Sequence, residues 1–144
     1  MEKIIVSACL LGEKVRYDGT GKSVEGIIGL SGKYELIPVC PEVLGGLPIP
    51  RPRSEIREGR VFTIDGRDVT HEFSSGAKKV LKISLEKGAL KAILKARSPS
   101  CGRGMIYGGS FDGMLVEGNG IACELLLENG IEVFDENDFW RLIR

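Results

Sequence analysis

Four short apolar runs, "KIIVSA", "YELIPV", "LKAILKA" and "GIEVF", recur along the chain, each bounded by turn-forming residues. Runs of that length and composition predict strands buried on both faces of a parallel sheet. Between them the apolar positions change to helical spacing. "KSVEGIIGL" predicts a helix with Ser23 at its N-cap, and a longer helix is expected from Thr70 to Lys87. That helix would turn Phe73, Ala77, Val80, Leu81 and Leu85 inward before Gly88 stops it. "NGIACELLLENG" predicts a third helix that starts at Asn119 or Gly120, buries Ile121, Ala122, Leu125 and Leu126, and ends at Gly130. "DENDFWRLIR" predicts a short C-terminal helix, with Phe139 and Trp140 sealing it to the core. "SEIREGRVFTIDGRDV" breaks the alternation, because Glu58-Gly59 between "EIR" and "RVFTI" reads as the turn of an inserted hairpin. The expected fold is α/β: a single Rossmann-like domain over residues 1–144, with a mainly parallel sheet flanked by helices and one inserted β-hairpin.

Two stretches carry no such periodicity. "CPEVLGGLPIPRPR", Cys40 to Arg53, holds four prolines and a Gly-Gly pair, so no regular element can persist there beyond a turn. "SPSCGRGMIYGGSFDG" is loop-rich in the same way. Long irregular segments in so short a chain are usually functional. The 20 basic and 20 acidic residues cancel, so no overall field draws the protein to polymeric nucleic acid or to an anionic membrane, and neither is an expected partner. The apolar stretch of "MEKIIVSACLLGEK" is too short to span a bilayer and is followed by charges rather than a cleavage site, which makes the cytoplasm the expected compartment.

In a reducing compartment four cysteines point to metal ligands, reactive thiols or core filler rather than to disulfides. Cys9 follows the first predicted strand, Cys40 ends the second and Cys101 follows the third. A parallel sheet brings all three to one edge, in the crevice outside the strand carboxyl ends where α/β proteins build their sites. No pair has C-x-x-C spacing, so only the fold reveals the constellation. Three thiolates suit a soft metal, either zinc or an iron-sulfur cluster, and leave one coordination position open for water or substrate. The sole histidine, His71, begins the long helix away from this edge and reads as an exposed helix-start residue. Cys123, next to Ala122 and near Leu125, reads as a small buried thiol in the core. "GNGIAC" lacks the third glycine of a dinucleotide fingerprint and reads as a helix start, and "YDG" at Tyr17 to Gly19 reads as a turn.

"SACLLGEKVRYDG", "PVCPEVLGGLPIPR", "SPSCGRGMIYGGSFDG" and "GNGIACELLLENGIEVF" resemble, in order and over nearly the whole chain, the thiouracil desulfidase family. The resemblance implies a [4Fe-4S] cluster on Cys9, Cys40 and Cys101 with one iron open. It also implies hydrolysis of the C=S bond of thiouracil or thiouridine-type compounds without net redox change. The expected partner is then a small thiolated pyrimidine base or nucleotide. Catalytic roles fall on Glu42 of "CPE" and Ser98 of "SPSC". A partly desolvated carboxylate two residues from a ligand is suited to moving protons, and the hydroxyl can orient water or substrate, with Ser100 as a further donor. Arg51, in the "PIPR" part of the matching motif, is the candidate to bind a nucleotide phosphate; Arg53 and Arg103 are lesser ones. Larger relatives carry an appended domain that this chain is expected to lack. Read from the thiols alone, a zinc hydrolase or a non-enzymatic iron-sulfur or metal sensor stands as the alternative.

Overall fold

The computed structural model describes residues 1–143. Its elements run β1 (Glu2–Ser7), α1 (Glu25–Ile28), β2 (Tyr34–Val39), α2 (Pro41–Leu44), β3 (Ser54–Arg57), β4 (Arg60–Thr63), α3 (Thr70–Lys87), β5 (Lys91–Leu94), β6 (Met105–Tyr107), β7 (Leu115–Glu117), α4 (Ile121–Glu128) and β8 (Glu132–Asp135). Short 3-10 turns cover Ala8–Leu11, Gly29–Gly32 and Phe139–Ile143. The four apolar runs form the central sheet in the order β2-β1-β5-β8, and every neighbouring pair is parallel. The α/β architecture, flanking helices and inserted hairpin are those expected.

Burial follows the two-residue period of the strands. Ile4, Val6 and Ile93 face one layer with Leu10, Ile27 and Leu142, while Ile5, Ala92 and Leu94 face the other with Val80, Cys123 and Leu126. Ile4, Ile5, Val6, Ala92, Ile93 and Leu94 are all 0% exposed, which is why these runs show no polar alternation. Each large aliphatic side chain so buried is worth about 1.5–3 kcal/mol relative to exposure. No helix among the described residues is long and apolar enough to cross a membrane.

Helix α3 buries Phe73, Ala77 and Val80, and Gly88 takes a left-handed φ of 71° to close it. The Ala89 amide reaches back to Ser84 O at 2.9 Å, a cap that satisfies an orphan carbonyl. In the last turn Ser84 takes the inward position and Leu85, one residue round the helix, is exposed, contrary to expectation. Around Ser23 the expected helix shrinks to the single turn of α1, with Val24 at its N-cap position and no side-chain cap, and it tightens into a 3-10 turn at Gly29. Gly26, Gly29 and Gly32 lower its helical propensity. In α4, Ala122, Cys123 and Leu126 are buried, and Ile121 and Leu125 only partly so. The C-terminal segment is a 3-10 turn in which Phe139 packs on the core and Trp140 stays exposed.

The hairpin of β3 and β4 turns at Glu58 and Gly59, both with positive φ, as an Xaa-Gly two-residue turn requires. A second hairpin, β6 with β7, lies within and beyond the stretch expected to be irregular. Its strands have three residues each, too short for a periodic signal.

Candidate functional site

The chain leaves β1 toward β2 on one side and leaves β5 toward β8 on the other, so the carboxyl ends of β1 and β5 mark the point where the connections diverge. Cys9 sits in the 3-10 turn directly after β1, and its carbonyl accepts the amides of Gly12 at 3.1 Å and Lys22 at 2.8 Å. Cys40 ends the run through β2 and occupies the N-cap position of α2. Cys101 lies on the loop after β5, where its amide donates to Ser98 Oγ at 2.7 Å and the Gly102 amide to Ser98 O at 2.9 Å. Gly120 presses this loop from behind: a Cβ there would lie 2.5 Å from the Ser100 carbonyl carbon. That close backbone approach is the reason for the glycine in "GNGIAC".

All three thiols line one cavity of about 560 Å³, together with Glu42, Arg51, Ser98 and Ser100. Of the lesser candidates Arg53 also lines it, whereas Arg103 does not and pairs with Asp138 at 3.6 Å. Among the described residues, no group of three or more His, Cys, Asp or Glu side chains is arranged to hold a single metal ion. The three sulfurs line the same cavity, and an all-thiol donor set is of the kind that holds an iron-sulfur group or another soft metal centre. Burial pushes the Cys9 thiol up to about 11, helped by the neighbouring Cys40. Burial likewise pushes Cys101 up to about 12, opposed by the nearby Ser7 and Ser100 hydroxyls. Cys40 is also raised by burial.

A hydrogen-bonded chain runs along the wall. The Ser98 and Ser100 hydroxyls lie 3.3 Å apart, and Ser100 Oγ donates to Glu42 Oε2 at 2.8 Å. Arg51 Nε donates to Glu42 Oε1 at 2.9 Å, while Nη1 and Nη2 donate to Pro48 O at 3.1 Å and Val15 O at 2.9 Å. Arg51 is therefore a buried cation turned toward Glu42 and the loop carbonyls. Glu42 is in the first turn of α2, and Pro41 at N1 pre-sets the helix that carries it.

Further residues line the cavity that the sequence alone did not single out. Ser7, at the end of β1, lies 3.3 Å from Cys101 Sγ. Lys95 pairs with Glu136 at 2.8 Å on the wall near Cys9. Arg16, Lys22 and Arg97 join Arg53, already a candidate from the sequence, in adding positive charge around the cavity. Glu55, buried, accepts the amides of Gly109 at 2.9 Å and Phe111 at 3.1 Å, clasping the loop between β6 and β7. A lone lysine ending the apolar run "KAILK" was the available sign for Lys95. His71 is exposed on α3 and does not line the cavity, and Cys123 is buried in the core on α4.

Residues 4–138 match the family described as 2-thiouracil desulfurase. A Bacillus subtilis (strain 168) protein, uncharacterized protein YbbK, is 39% identical over an aligned length of 145 positions, gaps included, that covers 94% of this chain and 96% of that protein. A solved structure named [4Fe-4S]-dependent thiouracil desulfidase TudS superposes with a TM-score of 0.91 at 46% identity, covering 99% of this chain and 96% of that one. With residues 4–138 matched by the family's model and both relatives matched almost end to end, the protein belongs to the 2-thiouracil desulfurase family.

Proposed function

We propose that the chain, working as one domain over residues 1–144, is a [4Fe-4S]-dependent desulfidase that hydrolyses the C=S bond of a thiolated pyrimidine base or nucleotide. The observation that carries this reading is the convergence of Cys9, Cys40 and Cys101 from three adjacent strand ends onto the cavity that also holds Glu42, Ser98 and Ser100. Cys9, Cys40 and Cys101 would hold the cluster, which would supply Lewis-acid chemistry toward a soft thiocarbonyl sulfur and so draw electron density from the ring carbon. In the overall reaction water provides the oxygen that replaces sulfur on that carbon, and two protons leave with the sulfur as hydrogen sulfide. No electrons are gained or lost.

The protein's own part is positioning and proton transfer. Glu42 takes the proton that water releases on attack and returns it to the departing sulfur. Ser98 orients the water or substrate, and the Ser98-Ser100-Glu42 chain of hydrogen bonds carries protons along the wall. Arg51 serves this site by fixing the Glu42 carboxylate with a charge-assisted bond. The cationic groups around the mouth, Arg16, Lys22, Arg53 and Arg97, accommodate the phosphate of a nucleotide substrate.

Anaerobic purification followed by iron, zinc and acid-labile sulfide analysis tests the cofactor, and sulfide release from 2-thiouracil and 4-thiouridine compounds tests the reaction. Brown protein with sulfide release is expected, and Cys101→Ala should abolish both. Glu42→Gln should keep the cluster and lose turnover by roughly 10²- to 10⁴-fold, the range for general acid-base groups. A colourless protein with one zinc per chain would overturn the cluster. A full cluster with no turnover of any thio-compound would favour a sensor.

A further inference from the structure

One buried hydroxyl with no role in the proton chain touches a sulfur of the site. Ser7 ends β1, is 2% exposed, and its Oγ lies 3.3 Å from Cys101 Sγ. The same oxygen accepts the Lys95 amide at 2.9 Å, just past the end of β5. We infer that Ser7 is a positioning residue that donates its hydroxyl proton to the Cys101 thiolate and withdraws charge from it; the inference rests on Cys101 being a cluster ligand.

The direction follows from counting donors. A serine hydroxyl has one proton and two lone pairs, and a thiolate can only accept. The Lys95 amide occupies the oxygen as an acceptor, which leaves the single proton free for sulfur. Ser100 Oγ is also within 3.7 Å of Cys101 Sγ, but its proton is committed to Glu42 Oε2 at 2.8 Å. Of these two hydroxyls, Ser7 is the one with a proton to give the sulfur. Its placement is rigid, because Ser7 is in register with Val39 of β2 and is joined through Lys95 to the end of β5. It therefore spans the divergence point of the sheet, tying the end of β1 to the Cys101 loop. Hydrogen bonds to ligating sulfur raise the reduction potential of an iron-sulfur group and hold the ligand in place.

The test uses anaerobically reconstituted wild type, Ser7→Ala and Ser7→Thr, each checked first for iron and sulfide content. An EPR-monitored redox titration of Ser7→Ala should shift the cluster potential to a more negative value, with Ser7→Thr staying at the wild-type potential. Ser7→Ala should also lose its cluster several-fold faster in air. If Ser7→Ala does not fold, the isosteric pair Ser7→Thr and Ser7→Val makes the same comparison, the two differing only in the hydroxyl. A loaded wild type and a hydroxyl-free variant with equal potentials would overturn the role of Ser7 while leaving the desulfidase reading intact. A wild type that takes up no cluster would overturn that reading and this inference with it.

Discussion

Replacing Arg51 with alanine deletes the guanidinium that joins three segments of the site wall. Its side chain is 4% exposed and that of Glu42 is 14% exposed, so the pair is largely shielded from water. The substitution removes the bonds to Glu42, Pro48 O and Val15 O together, and leaves the Glu42 carboxylate with Ser100 as its remaining side-chain donor. Hydrogen bonds to charged groups are worth about 1.5–3 kcal/mol each, though bonds sharing one group do not simply add. Breaking one partner out of a buried ion pair costs about 3–5 kcal/mol, chiefly because the surviving charge stays desolvated. The expected loss is therefore about 3–5 kcal/mol, a large share of the roughly 5–15 kcal/mol that holds an ordinary domain together.

Urea unfolding of the cluster-free protein under reducing conditions measures the loss directly. Combining Arg51→Ala with Glu42→Gln closes a double-mutant cycle. In the Glu42→Gln background no carboxylate is stranded, so Arg51→Ala should cost less by about 1–3 kcal/mol. An Arg51→Ala variant within about 0.5 kcal/mol of wild type, the range of ordinary surface substitutions, would refute the reasoning. So would a cycle with no coupling. Arg51 would then be a cation free to meet substrate, and its loss should appear in KM instead.

Gly76→Ala should destabilise the protein by at least about 1–3 kcal/mol and lower iron content after reconstitution, because a Cβ there would overlap Pro41 O, in the helix that follows Cys40. Gly29→Ala, where a Cβ would meet nothing within 4 Å, is the control and should be neutral or slightly stabilising. Burial pushes the Cys123 thiol up to about 12, so the folded chain keeps a proton that the unfolded chain releases near pH 9. Stability should be fully present below pH 9 and fall as pH rises from there toward 12, and Cys123→Ala should lessen that slope in denaturation curves taken across the range. Removing iron with a chelator should leave the far-UV circular dichroism and a single cooperative unfolding transition in place.

The sheet was legible because its strands are buried on both faces and therefore uninterrupted by polar residues, as with Ile4 to Val6 and Ala92 to Leu94. The long helix was legible because Phe73, Ala77 and Val80 keep one face for three turns and Gly88 ends it. Once strand order was parallel, the thiols at three strand ends had one edge to share, whereas Glu42 and Ser98 were singled out only by the resemblance of "CPE" and "SPSC" to the family's motifs. Ser7 and Lys95 were hidden for a different reason. They meet across a sequence separation of 88 residues, and although Ser7 opens the "SACLLG" motif, nothing local in the sequence points to Lys95 as its partner. The engagement of Arg51 depends on the path of the proline-rich loop, which brings Val15 O and Pro48 O to its two terminal nitrogens. No local propensity encodes that path. The β6-β7 hairpin falls below the length at which alternation can be recognised.

The way the thiols are spaced also separates folding from loading. In a zinc ribbon, ligand pairs two residues apart can capture metal before the chain has folded, and the metal then supplies the fold. Here no two of Cys9, Cys40 and Cys101 belong to one element, and the shortest interval between them contains α1 and β2. They become neighbours only after β2, β1 and β5 have paired, and that pairing is driven by side chains already fully buried on both faces of the sheet. The strand ends are then fixed by bonds that need no cofactor: Lys95 N to Ser7 Oγ, Cys101 N to Ser98 Oγ, and Arg51 to Glu42. A cluster that binds this preformed rim adds to stability by linkage, in proportion to its affinity, but does not create the fold. Under the proposed function, pre-organisation of this kind would let three sulfurs hold a group with an open position without a fourth ligand to close the site.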